Sequence, residues 1–240
     1  MYFIKIKQSD LLNEKMKKRI LLLWYLYENE KRNDIIECTI NDIVKYFHYT
    51  PSNNKTGINN IIKEELKNLI NDKLIICYQN ISLSTTNNEK LTFSFVKEDG
   101  EYKFLKIYNN FVQLKDYEMK TILNYYHNNK TSSLPSIDFL IILFLTIKSF
   151  MYETEEQQAY CYPSYEKLQK MSNISKQSIS KILKILKDMH LIYSCEFGTW
   201  KTTKGVIKDS FTIYSLKPPN NEKVLKTNVS ANFKDFKEWI

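Results

Sequence analysis

The run Glu65-Leu66-Lys67-Asn68-Leu69-Ile70-Asn71-Asp72-Lys73-Leu74-Ile75 can be laid beside Ile182-Leu183-Lys184-Ile185-Leu186-Lys187-Asp188-Met189-His190-Leu191-Ile192 without a gap. Such a repeat constrains a fold strongly, because two copies of one supersecondary unit imply duplication or a shared architecture. In this register Ile62 falls on Ile179, Leu66 on Leu183 and Leu69 on Leu186. One helix face is thus apolar in both copies, at the i, i+3, i+4, i+7 spacing that docks a helix on a core. Upstream, Thr39 is placed to cap a helix through Ile40, Ile43, Val44 and Phe47, where Ser164 stands in the second copy. Downstream, residues 74–78 and 91–96 are β-prone runs around a polar loop, matched by residues 191–197 and 210–215.

The second copy carries the clearer chemistry. Ser164 opens a short helix whose buried edge is Leu168 and Met171, and Ser175 opens the helix bearing the Ile179, Ile182, Leu183, Leu186 stripe. Gln177, Lys181 and Lys184 fall on the opposite side, flanked by Lys176 and Ser180. A helix that reads the major groove needs such amide, hydroxyl and ammonium donors facing outward over an apolar anchor. A solvated amphipathic helix has the same pattern, and the segment C-terminal to it argues for the groove reader. The loop 198–208 between the two β-prone runs holds Lys201, Lys204 and Lys208 with Gly198 and Gly205. Helix, turn, helix and a basic-tipped hairpin is the order of a winged helix. The wing lysines, with Ser164, Ser175 and Ser178, would contact phosphate, which positions a protein on DNA without specifying sequence. Trp200 either packs on sugar, inserts in a groove or caps the domain's own core.

Residues 139–192 resemble the winged helix-turn-helix module of plasmid and phage replication initiators and primosomal proteins of low-GC bacteria. The resemblance rests on Phe139-Leu140-Ile141-Ile142-Leu143-Phe144-Leu145, Tyr162-Pro163-Ser164, Ile174-Ser175-Lys176-Gln177-Ser178 and Leu191-Ile192. Asn173 stands where that pattern has glycine, so the turn requires Asn in a left-handed conformation, which Asn adopts more readily than most residues.

The copies differ on their outer faces. Gln177, Lys181 and Lys184 become Asn60, Glu64 and Lys67 in the first copy, and Glu65 adds a second carboxylate. Lys55, Asn59, Asn60, Lys63 and Lys67 are its candidate DNA contacts. This copy either reads DNA weakly or serves as a dimerisation or partner surface. The net charge of +8 favours an anionic partner. Between Cys161 and Lys217 many lysines face only Glu166, Asp188, Glu196 and Asp209, so that excess concentrates in the second copy.

The expected fold is α+β, mainly helical, with two tandem winged-helix domains at 1–116 and 117–217. A polar tail, 218–240, comes after them, with a short amphipathic helix through Phe233, Phe236 and Trp239 that docks on the protein's own core or on a partner. Residues 1–7 alternate like an edge strand, residues 109–116 close the first wing region, residues 117–126 form a connecting helix and residues 153–158 an acidic loop. The apolar run 137–150 contains Asp138 and Lys148 and is too short to cross a bilayer.

Cys38, Cys77, Cys161 and Cys195 are far apart, without C-x-x-C spacing, which argues against zinc and for free thiols in a reducing cytoplasm. His48, His127 and His190 are isolated, and four glycines with no G-x-x-x-x-G-K-[ST] leave little room for a phosphate-cradling loop. No catalysis, cofactor or metal is expected. The leading expectation is a sequence-specific double-stranded DNA-binding protein that starts plasmid or phage replication at origin repeats. Its implied protein partners are a helicase loader or other replication proteins, and a second copy of itself. A transcriptional regulator, or a primosome or segregation adaptor acting as a scaffold, are the alternatives.

Overall fold

The computed structural model describes residues 3–7, 14–30, 34–52, 54, 56–105, 111–129, 134–154, 157–219 and 221–240. The chain is a mixed α and β protein, 45% helix and 20% strand, with small antiparallel sheets. It divides into two compact units, Met1–Ile142 and Leu143–Ile240.

The first unit runs β1 (Phe3–Lys7), α1 (Glu14–Glu28), β2 (Ile36–Cys38), α2 (Ile40–Tyr46), α3 (Ile58–Asn71), β3 (Ile75–Cys77), β4 (Leu91–Phe95), β5 (Lys97–Glu98), β6 (Glu101–Tyr102), β7 (Phe111–Lys115) and α4 (Asp116–Asn128). Next comes α5 (Ile137–Ser149), within which the division falls. The second unit continues with β8 (Tyr152–Thr154), β9 (Gln157–Cys161), α6 (Tyr165–Ser172), α7 (Lys176–Asp188), β10 (Tyr193–Glu196), β11 (Trp200–Thr202), β12 (Ile207–Lys208), β13 (Thr212–Ser215), α8 (Glu222–Ser230) and β14 (Phe236–Trp239).

In the first unit α1, α2 and α3 pack together through Ile20 to Leu26, Ile40, Ile43, Val44, Phe47, Ile62, Leu66 and Leu69, all buried. Arg19 of α1 adds a charged tie to α3, donating to Glu65 at 2.8 Å and pairing with Asp72 at 2.6 Å. The three-stranded sheet has β4 between β2 and β3, and the burial of Leu91, Phe93 and Phe95 shows the period-2 alternation of a half-buried strand. Another polar network surrounds Asp138 at the start of α5. Lys18 lies 3.1 Å from its carboxylate, Tyr49 donates to it at 3.0 Å, and Ser136 donates to it as well. Burial alone pushes this carboxyl's pKa up. Lys18, Ser136 and Tyr49 together outweigh that push and hold it below the ordinary aspartate value.

The second unit repeats the element order. A buried helix leads into the β8–β9 hairpin, two helices, and a sheet with β13 between β9 and β10. The equivalence reaches the backbone. Lys73 and His190, aligned in the sequence register, both have φ 56. After α3, the Lys73 and Leu74 amides donate to Ile70 and Leu69. After α7, those of His190 and Leu191 donate to Lys187 and Leu186. Each helix is thus closed by the same Schellman pair of bonds, with a left-handed residue that lets the chain reverse into its strand.

Several connecting segments differ from the sequence expectation. Phe111–Lys115 is not a loop: it pairs antiparallel with Phe3–Lys7, because Val112 and Leu114 alternate inward. Residues 153–154 and 157–158 belong to the paired strands β8 and β9, and residues 155–156 lie outside the described residues. The tail helix is α8, capped by the Asn221 side chain, and lies upstream of Phe233, Phe236 and Trp239. Phe233 and Phe236 reach the core by another route, while Trp239 stays 38% exposed. β14 pairs with β11 at Thr202↔Phe236, Lys201↔Glu238 and Trp200↔Trp239, skipping Lys237. This bulge adds one residue to the strand period, so two aromatics three apart share a face and imitate a helical spacing. Phe233 and Phe236 pack on the cluster of Phe197, Trp200, Ile213, Leu225 and Val229.

Candidate nucleic-acid interface

The second and third helices of the second unit are built from local signals. The Ser164 hydroxyl accepts from the Lys167 amide, and the Ser175 hydroxyl accepts from the Ser178 amide at 3.2 Å, each satisfying an orphan donor of a first turn. Between them Asn173 adopts φ 53, ψ 41, the left-handed conformation that its position demanded. Ser164 and Ser175 therefore spend their side-chain acceptors on caps, and the Ser175 hydroxyl in turn donates to that of Ser178 at 3.0 Å.

α7 separates its two faces sharply. Ile179, Ile182, Leu183, Ile185 and Leu186 are buried, whereas Lys176, Gln177, Ser180, Lys181 and Lys184 are exposed. Lys187 and Asp188 extend the exposed face, and Ser178 is half-buried. Lys176 pairs with Glu166 of α6 at 3.1 Å, and this contact holds the Glu166 carboxyl below its usual pKa. Both partners are exposed, so water and salt screen the pair. Lys167 and Lys170 of α6 are exposed on the helix before.

The segment expected to form a wing is more elaborate than a single hairpin. β10 and β13 pair as expected, and residues 198–208 form a further small sheet in the order β12-β11-β14. Gly205, at φ 83, closes the tip, where the Thr202 and Val206 backbones bond at 2.9 Å and the Thr202 hydroxyl accepts from the Val206 amide at 2.9 Å. Lys204 and Lys208 are exposed, and Lys201 is half-buried opposite Glu238. Trp200 is 5% exposed and enters the aromatic core, its ring 5.3 Å from that of Phe233 and 5.6 Å from that of Phe236. A role for Trp200 on sugar or in a groove is thereby corrected: burial among these rings leaves its face nothing further to stack on. Exposed apolar side chains at the tip come instead from Val206 and Ile207. Their sequence signal was a β-branched pair directly after a glycine, absorbed into the polar loop by its lysines.

The first unit presents a different surface. Asn59 is buried and used internally, accepting from the Ser52 amide and donating to Asn41. Lys63 is 4% exposed, its ammonium donating to the carbonyls of Thr85 at 2.5 Å and Leu83 at 3.3 Å. Neither can meet DNA from this position, so both are corrected from contact candidates to loop anchors. Burial also holds Lys63 below the usual lysine pKa. Asn60 and Lys67 are half-buried, Asn60 donating to the Asn54 carbonyl, and Glu64 is exposed beside them. Lys55 lies outside the described residues. Ile61, Ile76, Tyr78 and Leu83 are exposed on this unit.

All four cysteines are free, and burial pushes the thiols of Cys38 and Cys161 up to about 12, far from the thiolate a nucleophile needs. Among the described residues no three or more His, Cys, Asp or Glu side chains group to hold a metal ion, and no helix is long and apolar enough to cross a membrane. No protein-family model and no curated protein matches the chain.

Proposed function

We propose that this chain is a sequence-specific double-stranded DNA-binding protein composed of two tandem winged helices, with α7 as the reading helix. The observation that carries the reading is the outward set Lys176, Gln177, Ser180, Lys181 and Lys184 on a helix anchored by a continuous buried stripe. Amides and ammonium groups in that arrangement complement base edges and phosphates of a major groove. The exposed wing lysines Lys204 and Lys208 add backbone contacts that fix register. The biological role that best suits this reading is initiation of plasmid or phage replication at repeated origin sites, through resemblance to that group. Two linked readers would there gain apparent affinity by effective concentration. The same helix would equally serve a transcriptional regulator, and the target sequence separates the two roles.

The first unit favours a protein partner over a second DNA contact. Its reading-helix equivalent carries Glu64 outward, its Lys63 is buried, and Ile61, Ile76, Tyr78 and Leu83 are exposed nearby in sequence. A helicase loader, another replication protein or a second copy of the chain would cover exposed apolar side chains of that kind. The test of the DNA reading is a mobility shift on duplexes selected from a random pool. Lys181→Glu should abolish the shift while circular dichroism and melting stay unchanged. Retention of the wild-type shift by that variant refutes α7 as the reading helix.

A further inference from the structure

The wing tip displays two aliphatic side chains that the fold does not use. Val206 is 51% exposed and Ile207 64%. The strand pairing sets the orientation of Ile207. Trp200 pairs with Lys208 and Lys201 with Ile207, and Trp200 points into the core, so Ile207 and Lys201 stand on the opposite, outer face, with Val206 beside Ile207 at the turn. The tip is held firmly. Gly205 supplies the left-handed turn, the Thr202 hydroxyl and backbone bind Val206, and β14 braces β11 from its far edge, adding a bond from the Thr203 amide to the Asp235 carbonyl at 2.8 Å. Lys204 and Lys208 are exposed within two residues of the aliphatic pair. Asp209 comes directly after the tip and Glu238 is the strand partner of Lys201, and Lys204 and Lys208 are exposed cations of the tip that can face a polyanion.

A narrow, stiff, apolar point flanked by ammonium groups matches a DNA groove: phosphates lie to either side, and base pairs between them offer an apolar stack. We propose that the tip is a wedge, with Val206 and Ile207 entering the minor groove and bending the duplex while Lys204 and Lys208 bind the adjoining phosphates. This rests on the reading of the chain as a duplex-DNA binder. The wedge makes the wing a determinant of shape-dependent recognition, favouring sites with flexible pyrimidine–purine steps that unstack at low cost. It also gives an initiator a way to distort an origin without catalysis.

The test uses the full chain and a duplex of about 30 base pairs, selected by the wild-type protein from a random pool and labelled at its ends with donor and acceptor dyes. Binding of the wild type should raise energy transfer, corresponding to a bend of roughly 20–90°. The double variant Val206→Thr, Ile207→Thr keeps β-branching and alters only exposed atoms, so its melting curve should match the wild type. It should bind within about tenfold of the wild type, because phosphate contacts dominate affinity, yet leave the energy transfer at the free-duplex value. Ile207→Phe, a larger wedge, should retain the bend. A bend unchanged in the threonine variant overturns the wedge and leaves DNA binding standing. A fall in the sedimentation mass of the free protein on threonine substitution overturns it too, since the tip is then a self-association surface. Failure to select any duplex removes the DNA reading itself, and the wedge with it.

Discussion

Lys63 and Lys181 lie one position apart in the repeat register, yet Lys63 is buried and Lys181 is exposed on the proposed reading helix, so replacing each by Met should give opposite results. Lys63 donates to Thr85 at 2.5 Å and to Leu83 at 3.3 Å from a position 4% exposed. A hydrogen bond to a charged group contributes about 1.5–3 kcal/mol. The Thr85 carbonyl belongs to a buried residue and would be left without its donor, whereas exposed Leu83 can turn its carbonyl to water. Methionine keeps the buried stem and removes the desolvated ammonium, which offsets part of the loss. The net cost is therefore about 2–4 kcal/mol. At about 3–4 °C per kcal/mol for a unit of this size, melting of the first unit should fall by roughly 6–16 °C. Lys181→Met should leave melting within about 1–2 °C, as expected for an exposed site. On a selected duplex it should reduce the slope of log K against log salt by about 0.9, one phosphate contact, while Lys63→Met leaves the slope unchanged. Circular dichroism melts and fluorescence-anisotropy titrations at several salt concentrations measure both. A flattened slope with unchanged melting in Lys63→Met would refute the assignment of that lysine to the loop.

Asp138→Asn should cost about 3–5 kcal/mol near neutral pH, because it leaves Lys18 without its carboxylate. The folded pKa of Asp138 lies below the unfolded value of about 3.9. Its contribution is therefore complete above that value and disappears as pH falls through the folded pKa. Wild type and variant should converge in urea titrations at strongly acidic pH, and a constant difference down to that range would count against the network. Lys73→Gly should stabilise the protein by about 0.5–1 kcal/mol by relieving a left-handed non-glycine residue. His190→Gly should gain less, since it also removes a ring stacked 6.1 Å from that of Tyr193, and denaturant midpoints rank the two. Lys204→Ala with Lys208→Ala should weaken binding to every duplex alike and flatten the salt slope; a changed sequence preference at constant slope would contradict the phosphate role. Phe236→Ala should cost about 1–3 kcal/mol by opening the aromatic cluster below β11, read from the unfolding midpoint.

Where signals were local, the sequence was legible. Thr39, Ser164 and Ser175 cap helices as their residue types require, and the stripe from Ile179 to Leu186 faces inward because a helix brings those positions together every turn. Asn173 in the left-handed region agreed with the chemistry of a tight turn. The misread segments depended on distant partners. β7 looked like a loop because its partner is β1, more than a hundred residues away in the chain. The aromatics of the tail looked helical because a bulge at Lys237 gave a strand a helical spacing. Lys63 and Asn59 looked available because nothing near them in sequence shows that residues 41, 52, 83 and 85 return to use their polar atoms.

The sequence by itself determined the repeat, the helix faces, their caps and the concentration of positive charge on α7 and the loop 198–208, all of which arise within a few turns of chain. Tertiary structure alone decided which polar groups stay in water. It turned Trp200 inward, buried Lys63 beneath a loop and left Val206 and Ile207 outside. Burial is a property of everything that packs around a side chain, and long-range pairing chooses those neighbours.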